Sequence, residues 1–396
     1  MNMIIAHQCF KTIVGLVLLA AGGAVFSAIK PGQTIEVRDS QTLREALSGA
    51  RPGTTILLAA GRYDCNLRIE GVNGSRDNPI VIMAANPENP PHFSGGNQAI
   101  HFVNCNYVTL RHARISGCRM NGINADDKGN LKTPSRGMSF ENLIIENIGP
   151  KGNHDALKLS GLSEFAVRDS TFSGWGGSAI DMVGCHDGII ENCRFLGKEG
   201  FSQDNAVQTK GGSERIIVRR NFFKNAGQRA VNIGGSTGLA FFRPAVREYE
   251  ARGIRIEGNY FVGSIAPIAY VTATDCHVRY NTIIHPEKWV LRILQEQPTN
   301  NFLACQRGVF EHNLIVFDRR VTVFANVGSN TMPETFLFRD NAWFDSQGDR
   351  RPVLPVPEID GIIQVDPDLE NMEKEFSTPR TRDVRLHSVG AHAFRP

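Results

Sequence analysis

Four short segments bring unlike charges together beside glycines: HDALKLSG (154–161), GWGGSAIDMVG (174–184), DNAVQTKGGS (204–213) and GQRAVNIGGSTG (227–238). They carry His154, Asp155, Lys158, Asp181, Asp204, Asn205, Gln208, Lys210, Arg229 and Asn232. Lysine and arginine can bind and neutralise an anion. Aspartates can form the opposed carboxylate pair of a glycoside hydrolase or, with an amide, oxygen ligands for a hard cation such as calcium. Either chemistry needs residues distant in sequence to meet on one surface, so the intervening chain must be periodic.

The segments share a core of alanine, an apolar residue and a polar one: Ala156-Leu157-Lys158, Ala179-Ile180-Asp181, Ala206-Val207-Gln208 and Ala230-Val231-Asn232. Strand side chains alternate between faces. The apolar members and Leu159, Met182, Thr209 and Ile233 are therefore expected inside, with Lys158, Asp181, Gln208 and Asn232 in an outward row. Lys210 follows Gln208 on the same face. Arg229 lies at the entry of the next strand, as His154, Asp155 and Asp204 do near the starts of others. The spacing predicts Lys210 and Arg229 on adjacent coils of one face, and the glycines at the strand ends predict a lowered rim and a groove.

The same phrase recurs from about residue 98 to 344: an alternating run, a glycine, a second alternating run, then asparagine and an apolar residue. Asn142, Asn192, Asn221, Asn259, Asn281, Asn313 and Asn341 read as one position of the repeat, with Asp169 in that slot in its own copy. Stacked amides at one corner can satisfy turn backbone along the axis. A β-propeller blade needs about 40 residues, whereas Asn259 and Asn281 are 22 apart. The prediction is an all-β, right-handed parallel β-helix, with a short amphipathic helix near Thr42–Leu47 capping its N-terminal end.

With 41% hydrophobic and 21% charged residues and 39 glycines, the 396-residue chain is too apolar for disorder and lacks the long apolar runs of a multi-span membrane protein. Its 43 basic and 40 acidic residues leave +3, which makes no case for a nucleic-acid partner. One lysine at 11, an uncharged run from Thr12 to about Ala28 and a small-residue ending read as a secretory signal over residues 1–28. The expected product is secreted or periplasmic, with no stable membrane anchor after cleavage. Residues 29–97 are assigned to the cap and first coils, 98–345 to the β-helix with its groove, and 346–396 to a loosely packed, loop-rich tail. Cys65, Cys105, Cys118, Cys185, Cys193, Cys276 and Cys305 form no CxxC pair and are expected mostly as small core residues.

The cap phrase TLREALSGARPGTTILLAAGRY (42–63), GVNGSRDNPIVIMA (71–84), NAVQTKGGS (205–213) and QRAVNIGGS (228–236) resemble the β-helical polysaccharide lyases of the alginate lyase and chondroitinase B group. The nearest likeness is to alginate lyases of polysaccharide lyase family 31, and a more distant one to family 6. The resemblance implies a lyase acting on a uronic-acid polymer, most nearly alginate (polymannuronate). It also implies a lysine base and an arginine acid on neighbouring coils, which Lys210 and Arg229 match. Family 6 adds calcium, for which Asp181, Asp204 and Asn205 are the candidates here, fewer carboxylates than that pattern has. His154, Asp155, Lys158, Gln208 and Asn232 are then expected to bind substrate.

The chemistry suits these residue types. β-Elimination removes the weakly acidic C5 proton of a uronate and expels the C4 oxygen, so the carboxylate must be neutralised while enolate-like charge develops. A partly desolvated lysine among other cations can serve as base. Arginine is essentially always protonated, so Arg229 is weighted as charge stabiliser, with water or His154 as proton donor. Three other readings stay open: a C5-epimerase using His154 and Asp155 for the second proton transfer, a hydrolase built on Asp155, Asp181 and Asp204, and a β-helix that binds glycan without catalysis.

Overall fold

Alternating apolar residues dictate a stack of coils, and the computed structural model, which describes residues 16–18, 32–297, 301–369 and 381–396, has that form. Every pairing between its strands is parallel, and strands of successive coils build three long sheets of 14, 12 and 10 strands. Leu157, Leu159, Ile180, Met182, Val207, Thr209, Val231 and Ile233 are fully buried between them, as the alternation predicts. Phe172, Phe195, Phe223 and Phe261 stack along the axis inside, with centroids 5.1, 4.7 and 4.6 Å apart. The signal-sequence assignment falls outside the described residues except for Leu16–Leu18, whose backbone pairs with residues 34–36. Among the described residues no helix is long and apolar enough to cross a membrane.

The cap is the helix Ser40–Gly49, longer than the segment predicted. Asp39 accepts from the Thr42 N–H at 2.8 Å in a capping box, and Leu43, Ala46 and Leu47 are buried over the first coils. At the other end, Glu358–Ile359 and Ile362–Ile363 extend two of the sheets. Leu386 and Val389 pack on Leu314 and Ala342. The coils therefore continue past residue 345; residues 381–396 pack on the stack, while 346–369 are little buried and, apart from the two short strands, mostly loop.

The asparagine ladder runs from Asn221 through Asn259, Asn281 and Asn313 to Asn341. From Asn259 on, each side-chain oxygen accepts from the backbone and side-chain nitrogens of the asparagine before it, at 2.9–3.0 Å, and that of Asn221 accepts from the Cys193 N–H. Asn142 and Asn192 do not belong to it. Arg194 pairs with Phe222, so Cys193 stands opposite Asn221 and Asn192 opposite Arg220. Asn142, Asp169, Asn192 and Arg220 instead fill the preceding column, where φ is 52, 50, 56 and 54°. Asparagine and aspartate tolerate that left-handed conformation better than most residues. One residue letter thus occupies two adjacent columns that the core register keeps apart.

A second column was not anticipated. Arg111, Glu141, Arg168, Glu191, Arg219, Glu257, Arg279, Glu311 and Arg339 are register partners on successive coils and alternate in charge throughout. Arg168 and Arg219, for example, donate to opposite oxygens of Glu191 at 2.7 and 2.8 Å. Of the seven cysteines among the described residues, Cys65 alone is not buried; burial pushes the thiols of Cys185, Cys193, Cys276 and Cys305 up to about 12.

Candidate active site

The ten-stranded sheet carries the charged segments. Its register places Asn124, Lys158, Asp181, Gln208, Asn232, Ala269 and Arg292 in one outward row on consecutive strands. The row is as predicted, but its members are not all solvated: Asp181 and Asn232 are 0 and 1% exposed.

Neighbouring side chains bury Asp181. Lys158 Nζ lies 2.8 Å from Asp155 Oδ2 and 2.6 Å from Asp181 Oδ2, and Lys210 Nζ lies 3.0 Å from Asp181 Oδ1. Two carboxylates and two ammoniums thus alternate, and their formal charges cancel. Asp155 Oδ1 also accepts from the Ser178 N–H at 2.8 Å, an approach a side chain at Gly177 would obstruct. Burial, and then the charge of Asp181, push the Asp155 carboxyl above its usual value. Burial works the same way on Asp181, but Lys210 and then Lys158 outweigh it and hold that carboxyl below the usual value. Asp181 Oδ1 accepts no aligned hydrogen bond, so its contact with Lys210 is an ion pair only.

Lys210 and Arg229 lie on adjacent strands of one face, yet at opposite ends of them. Asn205 pairs with Arg229, and Lys210 is five residues further along its strand. At about 3.3 Å per residue that is an offset of about 16 Å between backbones. Side chains lean into the gap from both sides: Lys210 donates to Gln208 at 3.2 Å and Arg229 to Asn232 at 3.1 Å, and Gln208 and Asn232 are register partners. The expectation of a lysine activated by neighbouring cations fails, because the charged partner of Lys210 is Asp181. Arg229 pairs with Glu296 at 2.6 Å.

The remaining predicted residues divide. Gln208 and Asn232 lie between Lys210 and Arg229. Asp155 and Lys158 belong to the buried charge cluster, so neither carboxylate oxygen of Asp155 is open to a ligand. His154 is half-buried on the strand-entry side, where its carbonyl accepts from the Gly177 N–H. Asp204 is exposed and accepts weakly from Gln228 at 3.4 Å. Asp181 and Asp204 do not converge. Lysines hold Asp181, and no group of three or more His, Cys, Asp or Glu side chains forms a cluster among the described residues. This donor set does not fit calcium.

The rim glycines serve a purpose the sequence did not disclose. A side chain at Gly184 would meet Arg243 Cβ at 2.2 Å, and one at Gly161 would meet Asp127 Oδ2 at 2.1 Å. Arg243 donates to that Asp127 oxygen at 2.9 Å and its backbone N–H to the Gly211 carbonyl. These glycines therefore seat the segment that follows Gly234, which runs back along the sheet as a wall beside Lys210, rather than lowering the rim for a ligand. Glu250, fully buried, anchors that wall. It accepts from the Gly211 N–H at 2.6 Å and from the Thr237 backbone and hydroxyl at 2.7 Å, and it also binds Gln297. Glu250 and Glu296 sit in insertions, where no periodic signal could have placed them.

Residues 98–283 and 156–342 match the family described as right handed beta helix region. No curated protein matches the chain in sequence. Among solved structures, an alginate lyase from Paenibacillus sp. str. FPU-7 is similar over 84% of this chain and 99% of its own, with a TM-score of 0.52 and 17% identity. A lacto-N-biosidase from Eubacterium ramulus is similar over 80% of this chain and 63% of its own, with a TM-score of 0.53 and 10% identity. A family 6 polysaccharide lyase from Pseudopedobacter saltans covers 90% of this chain and 99% of its own, with a TM-score of 0.48 and 13% identity. At such identities the likeness is one of fold, and a fold shared by a lyase and a glycosidase does not choose between elimination and hydrolysis.

Proposed function

We propose, for a chain that belongs to the right-handed β-helix family, a polysaccharide lyase activity on a uronic-acid polymer, most nearly alginate, by β-elimination. One observation carries this reading: on the sheet itself the carboxylates Asp155 and Asp181 are withdrawn while Lys210 and Arg229 stay partly exposed, with Glu296 on Arg229 as a displaceable partner. Lys210 and Arg229 reach over the outward surface from opposite ends, while Asp155 and Asp181 are fully buried and held by ammoniums. An anionic polymer suits such a face. A hydrolase needs two carboxyl groups flanking the bond to be cut, and of Asp155, Asp181 and Asp204 only Asp204 is open, so these three supply no such pair.

In this mechanism Arg229 exchanges Glu296 for the substrate carboxylate and stabilises the charge that develops on it. Lys210, as the neutral amine, takes the C5 proton, and the electron pair left on C5 forms the C4–C5 double bond as the C4 oxygen leaves. Water or His154 protonates the leaving oxygen. Gln208, half-buried between the two cations, can orient a sugar hydroxyl, whereas Asn232, expected to bind substrate, is buried and instead holds the Arg229 guanidinium. The secretory leader expected from the sequence would deliver the enzyme to a polymer outside the cytoplasm.

Incubation with alginate, pectate and chondroitin, followed by ultraviolet absorbance of the unsaturated product, tests the reading. Absorbance with one of them supports it. New reducing ends without absorbance would mean hydrolysis, and a change of uronate stereochemistry without cleavage would mean C5-epimerisation.

A further inference from the structure

Beyond Arg229 the outward row continues over two further strands. Arg229 pairs with Ala266, and Asn232 with Ala269, which pairs in turn with Arg292. Trp289 precedes Leu291 by two residues as Ala266 precedes Ile268, and its N–H donates to the Ile265 carbonyl at 3.0 Å. Trp289 and Arg292 therefore stand two coils beyond Arg229 and Asn232, separated from them by the methyl groups of two alanines.

Lys288 Nζ lies 4.4 Å and Arg292 Cζ 4.5 Å from the Trp289 ring centroid, distances at which an indole attracts a cation. Arg292 donates to Asn326 at 2.9 Å, and no ion pair holds it among the described residues. It is only partly exposed. Burial, and then the charge of Arg229, disfavour its charged form, and Glu296 only partly offsets them. Glu296 is already bound to Arg229. A half-buried guanidinium without a carboxylate, close to another guanidinium, is costly unless an anion completes it.

We propose that Arg292 and Lys288, positioned by Trp289, form a second binding position for an acidic sugar of the polymer, two coils from the position at Arg229. This rests on the polyuronate reading above and adds to it a subsite and the residues that select charge there. A charge-assisted hydrogen bond to a uronate carboxylate makes Arg292 the principal contact.

The test uses the full-length chain carrying Lys210→Arg, which keeps a cation beside Asp181 but cannot serve as base, titrated calorimetrically with a mannuronate tetrasaccharide and with neutral cellotetraose. The mannuronate should bind, and cellotetraose should not. Adding Arg292→Ala should weaken binding about tenfold or more, and Arg292→Lys should restore part of it. Lys288 is exposed, so Lys288→Ala leaves folding intact and should weaken binding by a smaller factor. Unchanged affinity in both alanine variants would overturn the subsite. If the Lys210→Arg chain, folded by circular dichroism, binds no mannuronate, pectate or chondroitin tetrasaccharide, the polyuronate reading falls and the subsite with it.

Discussion

Lys158 and Lys210, two coils apart, hold opposite oxygens of one buried carboxylate, that of Asp181. Lys158 is therefore part of the charge cluster rather than a bystander on the same face. We predict that Lys158→Met costs roughly 3–5 kcal/mol, because it leaves Asp155 and Asp181 sharing too little positive charge. Denaturant unfolding at neutral pH measures this, and a loss below about 0.5 kcal/mol, the size of an ordinary surface change, would contradict the cluster.

For catalysis, Lys210→Ala should lower the rate of double-bond formation by about 10²–10⁴. Arg229→Ala should do the same through loss of charge stabilisation. A lysine base acts only as the neutral amine, so Lys210→Arg, which keeps the charge but cannot give up its proton, should be as inactive as Lys210→Ala. A Lys210→Ala enzyme that keeps near wild-type activity on a confirmed substrate would rule the assignment out.

Metal removal should have no effect. Because lysines occupy Asp181 and Asp204 stands apart from it, activity in excess EDTA should equal activity in calcium. Inactivation by EDTA that calcium alone reverses would show that a site forms elsewhere or only with substrate.

The two corner columns should respond differently. Asn281→Ala removes the acceptor for both nitrogens of Asn259 and should cost roughly 3 kcal/mol, since buried donors are left unpaired at about 1–3 kcal/mol each. Asn192→Ala only asks alanine to adopt a left-handed conformation, at about 1–2 kcal/mol. Equal losses in thermal unfolding would place both residues in one column after all.

The alternating Arg–Glu column should make the fold acid-sensitive. Burial acts to raise the Glu191 carboxyl, but hydrogen bonds and charge from Arg168 and Arg219 hold it below the usual value. Its stabilising contribution is then complete above the unfolded-state value near 4.3 and is lost as pH falls through the lower folded value. Glu191→Gln should lower stability at pH 7 by about 1 kcal/mol and flatten the pH dependence at the acid end. A variant with an unchanged acid profile would assign the sensitivity to other carboxylates.

What the sequence determined by itself is what repeats. Alternation of apolar residues is local and every coil restates it, so the β-helix, the inward set and the outward row of Lys158, Asp181, Gln208 and Asn232 could be read from four aligned segments. Contacts outside the repeat could not. Whether Lys210 faces a cation or a carboxylate depends on the lateral offset between strands, which placed Asp181 beside it and Arg229 at the far end. The partners Glu250, Glu296 and Arg243 come from insertions with no counterpart in other coils, and only their packing against the sheet decides which strand they reach. The same holds for Asn192 and Asn221: the letter is identical, but one-residue register is settled by which side chains enter the shared core, and that is a property of the stack.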